Sequence, residues 1–327
     1  VVQLSLRFYG STFGFIENAK DLKINGNFQV SFIAGQGYII AEIIADLFIF
    51  SFIKSIIYEK KLIKNPCLYL TIIVYILNVL ITATRSRLLN LFIYAFVLVF
   101  IMLYSRRKDS IQTNRTIWKT IFRTIPAFII LLIGFYFAGS LTGKIESYDT
   151  MGENLLNYCG MSVYNLNYYI VHSEEVLFTS SETFFGIHTL SGPYSFMRSF
   201  GFDIPEDVIA LEYIQSKLVK GNVFTPLRRY YQDFGVLGIF LISTFLGYIY
   251  SSLINKSLNK PVSLLSILTA FFIFPMFFWS IEERFFMDVL LIIRTIYILM
   301  YFYIFSHLFF RKKTSYKYSY GYCVIRN

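Results

Sequence analysis

Charge is scarce in this sequence of 327 residues, and cysteine, histidine and tryptophan are scarcer still. Charged side chains make up 15% of the chain, against about 25% in ordinary soluble domains. The three cysteines, Cys67, Cys159 and Cys323, fall in separate segments with no metal or redox spacing between them. A structural disulfide framework is therefore not expected. The three histidines are equally dispersed and His-Glu-x-x-His is absent, so no bound metal is expected. Walker and GxGxxG loops are missing too, and no nucleotide or other cofactor is expected. No signal-peptide pattern is visible from Val1 onward, and with no initiator methionine the beginning of the protein is expected to lie upstream.

Apolar side chains fill the space that charge leaves. The chain is 56% hydrophobic and 20% aromatic, with a mean hydropathy of +0.56. No soluble domain hides that much apolar surface, so the expected fold is all-α, a polytopic helical membrane protein. The formal charge of +10 suggests nucleic acid at first. The cations collect in short turns between apolar runs, however, which is a topology signal; no nucleic-acid partner is expected.

Read in order, residues 1–31 are too charged to cross a bilayer. Residues 32–141 hold four expected spans, at 32–57, 67–83, 88–104 and 120–141. Glu42 and Asp46 lie inside the first of these on one helical face. Carboxylates there mark a pathway or a partner, or else sit in a water-filled cavity near the outer end with no chemistry. Residues 142–233 form one large, acidic, tyrosine-rich loop, expected to contain short helices, one of them amphipathic over 207–219. Three more spans follow at 234–254, 262–281 and 285–310, within the block 234–310. Residues 311–327 are a basic tail.

Basic turns at 58–66, 105–119 and 255–261, together with the tail, belong in the cytoplasm. The large loop, the N-terminus and the turns at 84–87 and 282–284 then face outward, and further helices are expected upstream of residue 1. This layout gathers Arg85, Arg87, Arg228, Arg229 and Arg284 at one membrane face, beside Asp233, Glu282 and Glu283. The loop adds His172 and His188. An outward cationic cluster at a lipid boundary suits a lipid pyrophosphate, and carboxylates or histidines nearby could deprotonate an attacking hydroxyl. The plainer alternative is a salt-bridged rim. Asp288 and Arg294, six residues apart in the last span, share no helical face and read as structural.

The stretch Gly221 to Gly238 carries the most information. Thr225 before Pro226 reads as a hydroxyl N-cap followed by proline at the first helical position. Arg228 and Arg229 occupy the first turn, where they oppose the helix dipole and aim two guanidiniums and free N–H groups at one spot. The alternative is an interfacial helix end whose arginines snorkel to headgroups. Asp233 is four residues beyond Arg229, on the same face.

Gly221-Asn222-Val223-Phe224-Thr225-Pro226, then Tyr230-Tyr231, Asp233-Phe234-Gly235 and Gly238, resembles the signature of the bacterial oligosaccharide repeat-unit polymerases, the Wzy-type O-antigen and capsule polymerases. Phe224 stands where that pattern has tyrosine. The layout from about 32 to 310 is similar as well, although members usually have ten or more spans.

The resemblance implies a glycosyltransferase at the periplasmic face of the bacterial inner membrane. It would polymerise undecaprenyl-pyrophosphate-linked oligosaccharide repeat units into O-antigen or capsular polysaccharide, without metal or nucleotide. It implies motif roles for Asn222, Thr225, Tyr230 and Gly235. Pyrophosphate binding would fall to Arg228, Arg229 and Arg85, with Arg87 and Arg284 helping. The candidate bases are Asp233, Glu282, His172 and His188, led by Asp233. Implied partners are the lipid-linked oligosaccharide, the bilayer, a chain-length regulator and a flippase. The alternatives are an O-antigen ligase acting on lipid A core, and a lipid-linked oligosaccharide flippase or other transporter.

Overall fold

A computed structural model of the chain describes residues 32–59, 69–75, 85–107, 151–172, 184–205, 214–215, 220–221, 224–277, 284–290 and 292–310. The N-terminal segment, the expected span at 120–141, the basic tail, Asn222 and Glu282 lie outside these residues. The fold is all-α. In chain order the helices are α1 (Phe32–Lys54, continued by a widened turn Ser55–Glu59), α2 (Arg85–Arg107), α3 (Met151–Val171), α4 (Ser191–Ser199), α5 (Leu227–Asn259), α6 (Leu264–Phe272), α7 (Phe274–Phe277), α8 (Phe285–Asp288) and α9 (Ile293–Phe310).

One β pairing interrupts this pattern. Ile214–Gln215 pairs antiparallel with Lys220–Gly221, so the helix expected over 207–219 is replaced, in its described part, by a hairpin. The large loop is also more helical than expected at its start, where α3 runs for 21 residues.

The core joins α1, α2, α5, α6 and α9. Ile43, Leu47 and Phe50 of α1 pack with Leu98, Ile101 and Met102 of α2, Leu246 of α5, Ile267 of α6 and Phe302 of α9. α1 and α2 lie side by side in the same direction. Tyr94 donates its hydroxyl to the Asp46 carbonyl at 2.9 Å, and Tyr58 donates to the Met102 carbonyl at 3.2 Å. α9 runs against them: Arg294 meets Glu42, and Tyr301, seven residues later, donates to Gln36 Oε1 at 3.0 Å. An alternating seven-span layout would run α1 and α9 in the same direction. The contacts run oppositely.

Two expected spans are broken for local reasons. The one at 262–281 ends its regular course at Phe272, and Pro275 in α7 brings no N–H to continue the ladder. The one at 285–310 is split between α8 and α9, where the Leu290 N–H donates back five residues to the Phe285 carbonyl at 2.9 Å.

α5 shows why a glycine pair sits in its sequence. Gly235 has φ 65° and ψ −158°, a left-handed φ that favours glycine. At Gly238 an added Cβ would collide with the Phe234 side chain and lie 2.7 Å from the Tyr230 carbonyl oxygen. The chain turns at Gly235, and residues 236–259 then rise about 36 Å, enough to cross a hydrocarbon core about 30 Å thick. Among the described residues α5 is the one helix long and apolar enough to cross a membrane. Its most apolar window is only 17% buried, and Val236, Leu237, Phe240, Leu241, Phe245 and Tyr248 stand exposed on it. Leu89–Ser105, Leu264–Phe277 and Ile293–Leu308 are apolar but shorter.

Candidate functional site

The first turns of α5 form the first of two charged constellations. Thr225 does not cap the helix. Pro226 occupies the cap position with no side-chain bond, and the buried Thr225 Oγ1 has no hydrogen-bond partner among the described residues. The Thr225 carbonyl accepts the Arg228 N–H at 3.2 Å, closing a tight turn that starts the helix through its backbone.

Arg228 and Arg229 do not aim at one spot. Consecutive helical residues diverge by about 100°, and these two side chains part accordingly. Arg228 is 2% exposed, its guanidinium lying 3.8 Å over the Phe224 ring and 5.4 Å from that of Tyr169 in α3. It fills an aromatic box with a cation–π contact. Arg229 turns toward the segment before α4. Its Nη1 donates to the His188 carbonyl at 2.7 Å and to Ser191 Oγ at 3.3 Å.

Asp233 completes that clamp. Its carboxylate accepts the Thr189 N–H at 2.6 Å and the His188 N–H at 3.3 Å, while Thr189 Oγ1 donates to the Arg229 carbonyl at 3.3 Å. As the sequence implies, Arg229 and Asp233 share a face. What they grip is the backbone of His188 and Thr189 and the Ser191 hydroxyl, which anchors α4. Tyr194 of α4 donates its hydroxyl to the Phe185 carbonyl, and burial, with the Asp233 charge adding to it, pushes its phenol above the ordinary value. His188 is buried beside Asp233. His172 ends α3, its Nδ1 bonded to the Tyr168 carbonyl at 3.1 Å and its ring stacked on Tyr168. Tyr230 is fully buried against Phe286.

The second constellation is assembled from distant parts of the chain. α1, α2, the α6–α7 bend, α8 and α9 surround a cavity of about 280 Å³, close to the lower end for small-molecule sites. Three guanidiniums, Arg87, Arg284 and Arg294, and three carboxylates, Glu42, Asp46 and Asp288, line it. Glu42 bridges two of the arginines, with Arg294 at 3.3 Å and Arg87 at 3.5 Å, and it accepts the Tyr75 hydroxyl at 3.4 Å. Arg87 also lies 4.1 Å over the Tyr38 ring. Arg284 pairs with Asp288 one turn away at 2.8 Å.

The predicted residues thus separate. Arg87 and Arg284 meet in the cavity; Arg228, Arg229, Asp233 and His188 belong to the clamp and its box; His172 stands apart at the end of α3. Arg85 begins α2, with its side chain outside the described residues. Arg294 and Asp288, read from sequence as structural, line the cavity as well. Arg294 does pair with a neighbouring helix, through Glu42 of α1, and the break between α8 and α9 brings Asp288 to the same cavity. Asn90, Tyr75 and Tyr94 join the cavity wall and carried no sequence signal of their own. Among the described residues no three His, Cys, Asp or Glu side chains converge on a metal-holding geometry.

No family model, curated protein or solved structure matches the chain.

Proposed function

We propose that this chain is a polytopic membrane glycosyltransferase that joins oligosaccharide repeat units carried on undecaprenyl pyrophosphate, at the outer face of a bacterial inner membrane. The observation that carries the reading is the cavity in which Arg87, Arg284 and Arg294 converge, in a chain whose α5 exposes an apolar face along its length. Three guanidiniums suit a diphosphate, each offering a planar fork of donors. As the glycosyl–oxygen bond breaks, charge develops on the departing pyrophosphate. Arginines already fixed in place stabilise that charge without reorganising. The motif residues Arg228, Arg229 and Asp233 act as scaffold, holding α4 over the head of α5. The donor is activated by its own pyrophosphate, so transfer draws on no nucleotide.

The test is the glycan ladder of a deletion strain, restored with wild type or with Arg87→Ala. Long chains should return only with wild type, while single repeat units stay attached in both. Loss of all attachment would instead indicate the ligase.

A transporter for lipid-linked oligosaccharide is the second reading, favoured by one observation: two carboxylates, Glu42 and Asp46, are buried within a single apolar helix, a pattern found along transport pathways. Accumulation of repeat units on the cytoplasmic leaflet of the deletion strain would select it. External labelling of single cysteines at Lys217 and Lys312 would fix the orientation, because the opposed run of α1 and α9 leaves the side of the C-terminus to experiment.

A further inference from the structure

We infer that Asp46 takes the proton from the attacking sugar hydroxyl, with Asn90 Oδ1 receiving a second hydroxyl of the same ligand. This rests on the glycan-transfer reading and assigns its base. Asp46 is 2% exposed and lines the arginine cavity. Among the described residues its carboxylate has no hydrogen-bond or ion-pair partner; the Tyr94 hydroxyl donates to its backbone carbonyl instead. A carboxylate buried in that condition is costly, and the cost falls once a donor enters the cavity. Asn90 Oδ1, on the same wall, is likewise buried without a donor.

The other carboxylates are already engaged. Glu42 is held by Arg87, Arg294 and Tyr75. Asp288 is held by Arg284, and Asp233 accepts two backbone N–H groups away from the cavity. Two vacant acceptors call for donors; the three guanidiniums and three carboxylates of the wall leave no surplus of either charge, and among the described residues no three His, Cys, Asp or Glu side chains converge to hold a metal ion. A neutral hydroxyl is the donor that satisfies both conditions. Set beside the guanidiniums that the transfer reading assigns to the diphosphate, such a ligand carries hydroxyls on one side and an anion on the other, which describes a glycosyl phosphate.

The step balances without a further reactant. The acceptor O–H bond breaks and its proton moves to the Asp46 carboxylate. The freed oxygen pair forms the new bond to the anomeric carbon. The bond from that carbon to the pyrophosphate oxygen breaks, and its electron pair leaves with the lipid pyrophosphate.

The test uses the purified full chain in nanodiscs, with lipid-linked repeat units isolated from the parent strain and bare undecaprenyl pyrophosphate as the binding probe. Asp46→Asn keeps the shape and removes the base, so turnover should fall about 10²- to 10⁴-fold while probe affinity stays within about threefold. Asp46→Glu should recover part of the lost turnover, and Asn90→Ala should raise KM more than it lowers kcat. Turnover of Asp46→Asn within about threefold of wild type would overturn the inference. So would equal loss of turnover and probe binding, which would make Asp46 a structural residue. Wild-type protein that binds the probe but never extends a repeat unit would overturn the transfer reading itself.

Discussion

The head of α5 and the cavity between α1, α2 and α9 hold the same kinds of side chain and use them differently. At the head, Arg229 and Asp233 are one helical turn apart and close on the backbone of His188 and Thr189. The charged groups of that clamp each have a fixed partner, although among the described residues Thr225 Oγ1 and Gln232 Oε1 nearby are buried without one. In the cavity, Glu42 reaches Arg294 across 252 positions of sequence, and Asp46 and Asn90 are left facing space. The conspicuous motif is architecture, and the open chemistry lies where no motif marks it. The clamp satisfies its charges within the fold; a group left unsatisfied inside a folded wall is costly, and such groups cluster where a ligand completes them.

The hardest test of this contrast removes a cavity arginine. Arg87→Ala or Arg294→Ala should lower transfer about 10²- to 10³-fold, the scale of deleting one preorganised charge-stabilising donor, read as loss of long chains from the glycan ladder. Arg229→Lys should do much less. A single Nη1 makes the bonds to His188 and Ser191, and an ammonium copies one donor better than it copies a bidentate fork. Long chains from Arg294→Ala and none from Arg229→Lys would invert the comparison.

Glu42→Ala comes next, and here stability is the readout. It leaves Arg87 and Arg294 facing each other across a buried position, and breaking such a pair costs about 3–5 kcal/mol. Arg294 is 40% exposed, so water screens part of that and the lower end is expected. Glu42→Gln, which keeps an acceptor for Arg87, Arg294 and Tyr75, should lose less. Thermal unfolding in detergent separates the two. At the other pole, Gly238→Val should cost about 1–3 kcal/mol by overpacking, because its Cβ would meet Phe234 and the Tyr230 carbonyl.

The parts legible in the sequence are those governed by neighbours in the chain. The span expected to open near residue 234 does follow the turn at Gly235, since hydropathy and a positive φ both change there. Glu42 and Asp46 were conspicuous as carboxylates in an apolar run, and they lie in the cavity. Arg87 and Arg284 were placed together because both end apolar runs on one side. What escaped were choices made by packing. Thr225 had the composition of a cap, yet burial took its hydroxyl away from the helix N–H groups. Arg228 looked like an anion ligand until Phe224 and Tyr169 enclosed it. Arg294 was read as pairing with a neighbouring helix, which it does through Glu42; that Asp288 would line the same cavity was hidden because the helix is broken between them.

Arg228 provides the smallest expected effect and the sharpest one for the motif. Replacing it with methionine keeps the volume inside the aromatic box and removes the charge. The lost cation–π contact is worth about 0.5–2 kcal/mol. Relief from holding a guanidinium at 2% exposure acts the other way, so the melting temperature should move by only a few degrees. Transfer should stay within about threefold of wild type, because this residue is not on the wall of the arginine cavity. An Arg228→Met protein that folds normally yet makes no long chains would put substrate in the aromatic box, and the division between scaffold and site drawn from these two clusters would fail at its clearest point.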